Sequence, residues 1–154
     1  MAALGFSRAA SGAAMWHDIL LTSIFVQVAL TFWAVLAMGR ARVASLKAKE
    51  TAMADIAVTP TAYPPHVQLF AANAHNQFET PILFFAAAAL AVALDQVSVV
   101  LALSGAVFVV FRLLHRREHV GRNNLRMRFN LFLVGFLALI VMWVALGVGI
   151  LLAR

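Results

Sequence analysis

The chain has 154 residues, of which 64% are hydrophobic and 12% are charged, and its formal net charge is +6. A soluble domain of this length has about a quarter of its residues charged, so the composition excludes an ordinary soluble domain and predicts an integral membrane protein. Because the sequence contains no cysteine, disulfide bonds, thiolate nucleophiles and thiolate metal sites are excluded.

The first apolar run follows a segment of small residues. Residues 1–17, rich in Ala, Ser and Gly, predict a loosely held tail before a single domain over residues 18–154. Residues 19–38 are free of charge and long enough to cross about 30 Å of hydrocarbon, and Arg-Ala-Arg follows them instead of a cleavage site. They predict a retained transmembrane helix. Residues 39–63 are charged and end in prolines, and we expect them to form an exposed loop.

The second apolar stretch, residues 65–94, is polar through its first half. Asn73, Asn76 and Glu79 share an arc of about 120° on a helix, and a carboxylate at membrane depth costs several kcal/mol unless it is paired or hydrated. We therefore expect Glu79 to meet a cation or donor from another helix. Pro81 should bend the helix beside Glu79, since its ring removes a backbone hydrogen bond. As an alternative, the polar side chains only join helices through hydrogen bonds.

Two more apolar runs complete the bundle. The short connection at Asp95 and Gln96 predicts that a third helix, residues 97–114, packs antiparallel beside the second. Residues 129–153 are free of charge and predict a fourth helix. The predicted fold class is an all-α membrane protein, a four-transmembrane-helix bundle.

Basic residues indicate the orientation of this bundle. Four lie in the first loop and six in the region of the third, against two elsewhere. The predicted multi-pass topology therefore has these loops in the cytoplasm and both termini on the opposite side, and we predict no nucleic-acid partner.

For three arginines the alternative role is only orientation and attraction to anionic headgroups: Arg116, Arg117 and Arg122. Three others lie near the helix ends, level with Glu79, and are candidates for its cation: Arg112, Arg126 and Arg128.

These residues carry a resemblance to a known family. The pattern Asn76-x-x-Glu79-x-Pro81, with Arg112-x-x-His115 closing the third helix and Arg128 opening the fourth, resembles the MAPEG family (membrane-associated proteins in eicosanoid and glutathione metabolism), in its bacterial-type form. The resemblance covers about residues 19–152. It implies a homotrimer of four-helix subunits, with glutathione held in a cytoplasm-facing cleft between neighbouring subunits. Residues implied or proposed to bind this cofactor are Arg40, Asn76, Glu79, Arg112, His115 and Arg126.

The chemistry of glutathione fits these residue types. Its carboxylates suit guanidinium groups and its ammonium suits Glu79. A close arginine lowers the pKa of a thiol, about 8.5 in water, and Arg128 is our candidate for this catalytic role. Where characterised family members carry a tyrosine, this chain has His119, four residues after His115, and the pair suits acid/base work. Without a third ligand the two histidines do not predict a metal site.

Three classes of function follow from this reading. The leading hypothesis is an enzyme that conjugates or reduces a lipophilic electrophile with glutathione, the apolar substrate entering from the lipid. A second is a binding or accessory protein with a membrane-protein partner in a larger complex. The third is a site for an anion or a lipid headgroup without chemistry.

Overall fold

The computed structural model describes residues 2–59 and 61–153, with side chains described from residue 12 onward. Within these residues the chain is helical, without a strand. Four segments are long and apolar enough to cross a membrane: Gly12–Lys47, Pro65–Ala93, Val99–Val120 and Leu125–Leu152. This confirms the predicted all-helical, four-span membrane fold. The elements are α1 (Ala2–Lys47), α2 (Met53–Val58), α3 (Pro65–His75), a 3₁₀ turn (Asn76–Phe78), α4 (Thr80–Ala93), α5 (Val99–Val120) and α6 (Leu125–Leu152).

Helix α1 is longer than the apolar run on which it was predicted. It continues past Met38 to Lys47, and α2 occupies part of the segment expected to be an exposed loop. That expectation was wrong because Arg, Ala, Leu and Lys after residue 39 are good helix formers, and no proline interrupts them before α1 ends. The chain turns at Lys49, whose φ is 57°. The domain division predicted at residue 18 falls inside α1 and stays a prediction.

Helix α5 also extends beyond its predicted end. It continues from Leu114 to Val120, so most of the basic stretch expected to lie in a loop is helical. Residues 115–120 contain neither Gly nor Pro, and the helix ends just before Gly121, the next glycine after them. Asn124 then caps α6, its Oδ1 accepting from the backbone N–H of Met127 at 3.0 Å. The basic region is therefore a helical hairpin with a short turn.

The second spanning segment is interrupted beside Glu79, as Pro81 predicts. Helix α3 ends at His75, the 3₁₀ turn follows, and α4 begins at Thr80. Glu79 itself has φ −96° and ψ −104°, outside the helical region. Because Pro81 has no N–H to donate, the regular hydrogen bonding of the helix cannot pass through this point.

The apolar core lies in the half of the bundle that contains α4. Phe84 stacks on Phe108 of α5, with ring centroids 5.2 Å apart, and Leu20 and Met142 close the cluster from α1 and α6. Small residues let the helices approach: a Cβ on Gly105 would lie 3.3 Å from the Phe84 ring and 3.4 Å from Leu20 Cδ1. The core therefore leaves the other half of the bundle, around α3, for polar groups.

We expect Gly105→Leu to destabilise the protein by about 1–3 kcal/mol, because the new side chain must displace the Phe84 ring and Leu20. The matched control is Gly147→Leu, since a Cβ at Gly147 meets no atom within 4 Å. Thermal unfolding in mild detergent measures both. Equal melting temperatures for the two variants would contradict the close packing at Gly105.

Candidate functional site

Two buried arginines of α5 face the interrupted helix. Arg112 and Arg116 lie four residues apart, hence on one face of α5, and each is only 3% exposed. A buried guanidinium is costly unless acceptors surround it. What these two arginines bind therefore defines the polar half of the bundle.

Arg112 binds the backbone of the 3₁₀ turn. Its Nη2 donates to the carbonyl oxygen of Asn76 at 2.5 Å. Carbonyl groups near a helix end lack intrahelical partners, and Pro81, just beyond the turn, has no N–H to donate. The guanidinium therefore provides a charge-assisted bond where the regular helix cannot.

Arg116 is held by an amide and an aromatic ring. Its Nη1 donates to Oδ1 of Asn73, and its guanidinium lies over the ring of Trp33, 3.9 Å from the centroid. Such a cation–π contact stabilises a desolvated cation without a carboxylate. Burial in this arrangement rules out the alternative in which Arg116 is only an orientation charge at the membrane surface.

Two glutamines continue the network into α1. Gln77 Nε2 donates to the backbone carbonyl of Asn73 at 3.2 Å, and Gln27 Nε2 donates to Gln77 Oε1 at 3.1 Å. Both glutamines are buried. Gln27 and Trp33 had no predicted role, although a lone amide inside an otherwise apolar helix was a signal for Gln27. The signal for Arg116 was its spacing of four from Arg112.

A pair of histidines lies beside Arg112. His115 and His119 are buried, at 5% and 1% exposure, with ring centroids 5.5 Å apart at 83°. The side-chain amide of Asn76 donates to Nδ1 of His119 at 3.4 Å. The turn therefore contacts α5 through both its backbone and its side chain.

Arg128 joins this cluster from the start of α6. It lies on the first turn of α6, and only a short turn separates α6 from the end of α5, where His115 and His119 lie. Its Nη1 donates to Oδ1 of Asn123 at 2.6 Å, and the side chain is half-buried. The structure thus brings together five of the predicted site residues, a group we call the arginine–histidine cluster: Asn76, Arg112, His115, His119 and Arg128.

Glu79 differs from its prediction. Its side chain is exposed in the single subunit, and within the described part of the chain no basic group lies within 4 Å of it. The expectation of a buried carboxylate with a close cation was therefore wrong for one subunit. Glu79 lies at the break, outside both flanking helices, and so reaches the surface.

Arg40 and Arg126 stand apart from the cluster in one subunit. Arg126 is exposed on the first turn of α6, and Arg40 lines a separate groove between α1 and α3. Closer to the cluster, a cavity of about 440 Å³ is lined in part by Arg42, His75 and Asn76. The Arg42 guanidinium lies over Tyr63, 5.3 Å from the ring centroid.

The cluster suits an anionic ligand. Several of its buried nitrogen atoms have no hydrogen-bond partner in the described structure: Arg112 Nε, His115 Nδ1 and Arg128 Nε. Buried polar groups are almost always satisfied, so these atoms are free to bind water or a ligand. With Glu79 at the rim, the arrangement offers cations for carboxylates and one carboxylate for an ammonium.

A comparison with protein-family models matches the MAPEG family over residues 20–148. Comparisons with curated proteins and with solved structures give no match. The matched segment contains the interrupted helix, all of α5 and every residue of the arginine–histidine cluster. This family of membrane proteins includes glutathione transferases and related enzymes. The chain belongs to the MAPEG family.

Proposed function

We propose that this protein binds glutathione and uses it to conjugate or reduce a lipophilic electrophile. The observation that carries the proposal is the arginine–histidine cluster at the helix break, where buried cationic and imidazole groups lie next to an exposed carboxylate. Membership of a family that includes glutathione transferases supports the same ligand.

The groups of this cluster match the groups of glutathione. Arg112 and Arg128 each have a buried Nε without a partner, and a carboxylate would satisfy such nitrogens. Glu79 has no ion pair within 4 Å in the described residues, which leaves it able to bind an ammonium. In this proposal Asn76 and His115 contribute neutral hydrogen bonds. The residues present therefore fit the cofactor.

Catalysis would depend on the charge of Arg128. Glutathione, when bound, supplies the thiol that attacks or reduces the electrophile. Arg128, half-buried at the start of α6, favours the thiolate by its positive charge. His119 lies within hydrogen-bond reach of Asn76 and could hold or move a proton within the cluster.

A homotrimer would complete the site. Glu79 is exposed in one subunit although it lies at the level of a polar, buried network, and a neighbouring subunit over this surface would supply further contacts. Arg126, and Arg40 as implied by resemblance, would then reach the cofactor only from a neighbouring subunit. The basic ends of the helices face the cytoplasm in this proposal, and the lipophilic substrate enters from the bilayer.

A second candidate is a non-catalytic binding or accessory subunit of a larger membrane complex. It is favoured by the position of Tyr63, the single tyrosine, which lies under Arg42 in a separate contact. His119 is already bonded to Asn76. A site that uses these groups for structure would bind an anion without activating a thiol.

We expect Glu79→Gln to weaken glutathione binding by about 2 kcal/mol, roughly thirty-fold, because the ligand ammonium loses its carboxylate. Calorimetric titration of detergent-purified protein measures this. Asp55→Asn is the matched control, since Asp55 is an exposed carboxylate of α2 without an ion pair within 4 Å in the described structure. Unchanged affinity in Glu79→Gln would remove Glu79 from the site, and no binding by the wild type would reject the proposal.

Arg128→Leu should lower the thiolate absorbance of bound glutathione near neutral pH and reduce the reaction rate more than the affinity, since the other groups of the cluster still bind the carboxylates. Ultraviolet difference titration across pH measures the thiolate. Arg122→Leu removes the same charge from the exposed turn before α6 and should leave the titration curve unchanged. Matching curves for wild type and Arg128→Leu would support the non-catalytic candidate.

A further inference from the structure

We propose that Gln27 of α1 is a positioning residue for the 3₁₀ turn and sets where Asn76 and Glu79 lie. The side chain of Gln27 is fully buried and lies in the middle of the charge-free run of α1. An amide inside a spanning helix is costly unless it is hydrogen-bonded. Its Nε2 donates to Gln77 Oε1 at 3.1 Å, so the partner of this amide belongs to the helix break.

The bond to Gln77 is the one side-chain hydrogen bond that Gln27 makes in the described residues. Gln27 Oε1 is buried and has no partner there. Two other polar side chains of α1, Ser23 and Thr31, lie about one turn to either side, but their hydroxyls donate to carbonyl groups of α1 itself, those of Ile19 and Gln27. Gln27 therefore differs from its polar neighbours because it joins α1 to another segment.

The side-chain amide of Gln77 is held at both ends. Its Oε1 accepts from Gln27, and its Nε2 donates to the carbonyl oxygen of Asn73 at 3.2 Å. Asn73 lies four residues earlier, so its carbonyl is the one that a regular α-helix would pair with the backbone N–H of residue 77. The Gln77 side chain, only 2% exposed, therefore carries the contact from α1 into the backbone at the break.

Contacts from two helices define the orientation of the turn. Helix α5 binds it at Asn76, whose backbone carbonyl and side-chain amide are both hydrogen-bonded to residues of α5. An anchor at one residue leaves a short turn free to pivot about that residue. The bond from Gln27 of α1 to Gln77, the next residue, removes this freedom, so Glu79 leaves the break in a defined direction.

The orientation of the turn also bears on ligand recognition. This link rests on the proposed function, in which Glu79 binds the ammonium of glutathione and the arginines bind its carboxylates. A turn that pivots should lose recognition of the ammonium and keep the carboxylate contacts, because the arginines lie outside the turn. A general loss of stability would instead weaken every contact of the ligand. The two effects can therefore be separated by a ligand that lacks the ammonium.

Gln27→Met keeps the length of the side chain and removes its donor. In the detergent-purified full chain we expect it to speed hydrogen–deuterium exchange in residues 76–82 by about five-fold and to leave α6 unchanged. In a Gln77→Met background, which already lacks the partner, the same change should add little. Thr31→Val is the matched control, since it removes a hydroxyl that donates within α1. Additive effects of the two glutamine variants, or an equal rise in Thr31→Val, would overturn the proposal.

Calorimetric titration with glutathione and with N-acetylglutathione, which lacks the ammonium, tests the link to Glu79. The wild type should prefer glutathione by about thirty-fold. Gln27→Met should reduce this preference to about five-fold and bind N-acetylglutathione as the wild type does. An equal loss of affinity for both ligands would overturn the positioning role. If the wild type binds neither ligand, the proposed function fails, and the exchange comparison alone decides whether Gln27 positions the turn.

Discussion

Everything in the polar half of this bundle depends on how the interrupted helix is hydrogen-bonded. In a bilayer, backbone groups without partners cost several kcal/mol each, so a break in a spanning helix persists only where other groups replace the missing bonds. Here the replacement comes from α5: Arg112 donates to the carbonyl of Asn76, and Arg116, one turn later, donates to the side chain of Asn73. The break supplies a backbone acceptor for Arg112, Arg112 supplies a donor for the break, and Asn73, one turn earlier on α3, supplies a side-chain acceptor for Arg116.

This mutual dependence places the candidate site. The 3₁₀ turn that accepts from Arg112 also directs the Asn76 amide to His119 and leaves Glu79 at the surface. The apolar half, with Phe84 stacked on Phe108, packs α4, α5 and α6 together and keeps the arginines of α5 level with the turn. The packing of the apolar half therefore fixes where the α5 arginines lie relative to the 3₁₀ turn in the polar half.

The four spans and the break were predictable because they follow from local properties, namely the length of apolar runs and the missing N–H of Pro81. The ends of α1 and α5 also follow from helix propensity, since residues 40–47 and 115–120 contain neither Gly nor Pro, but the partners of the charged side chains in these segments depend on tertiary contacts. Arg116 shows this: beside Arg117 it looks like a surface charge, and only Asn73 and Trp33 explain its burial. The prediction for Glu79 was wrong in the opposite sense. This residue was expected to be buried and is exposed in one subunit, because its burial depends on what covers the subunit. The family pattern named the residues of the cluster but not the distances between them.

Hydrogen–deuterium exchange of backbone amides tests most directly whether Arg112 holds the helix break. We predict that Arg112→Met, which keeps the length of the side chain and removes its donors, speeds exchange in residues 76–82 by about ten-fold, while α6 stays protected. Arg117→Gln, an exposed arginine on the same helix, should leave exchange in residues 76–82 unchanged. Unchanged exchange in residues 76–82 of Arg112→Met, or an equal rise in α6, would contradict the role of Arg112.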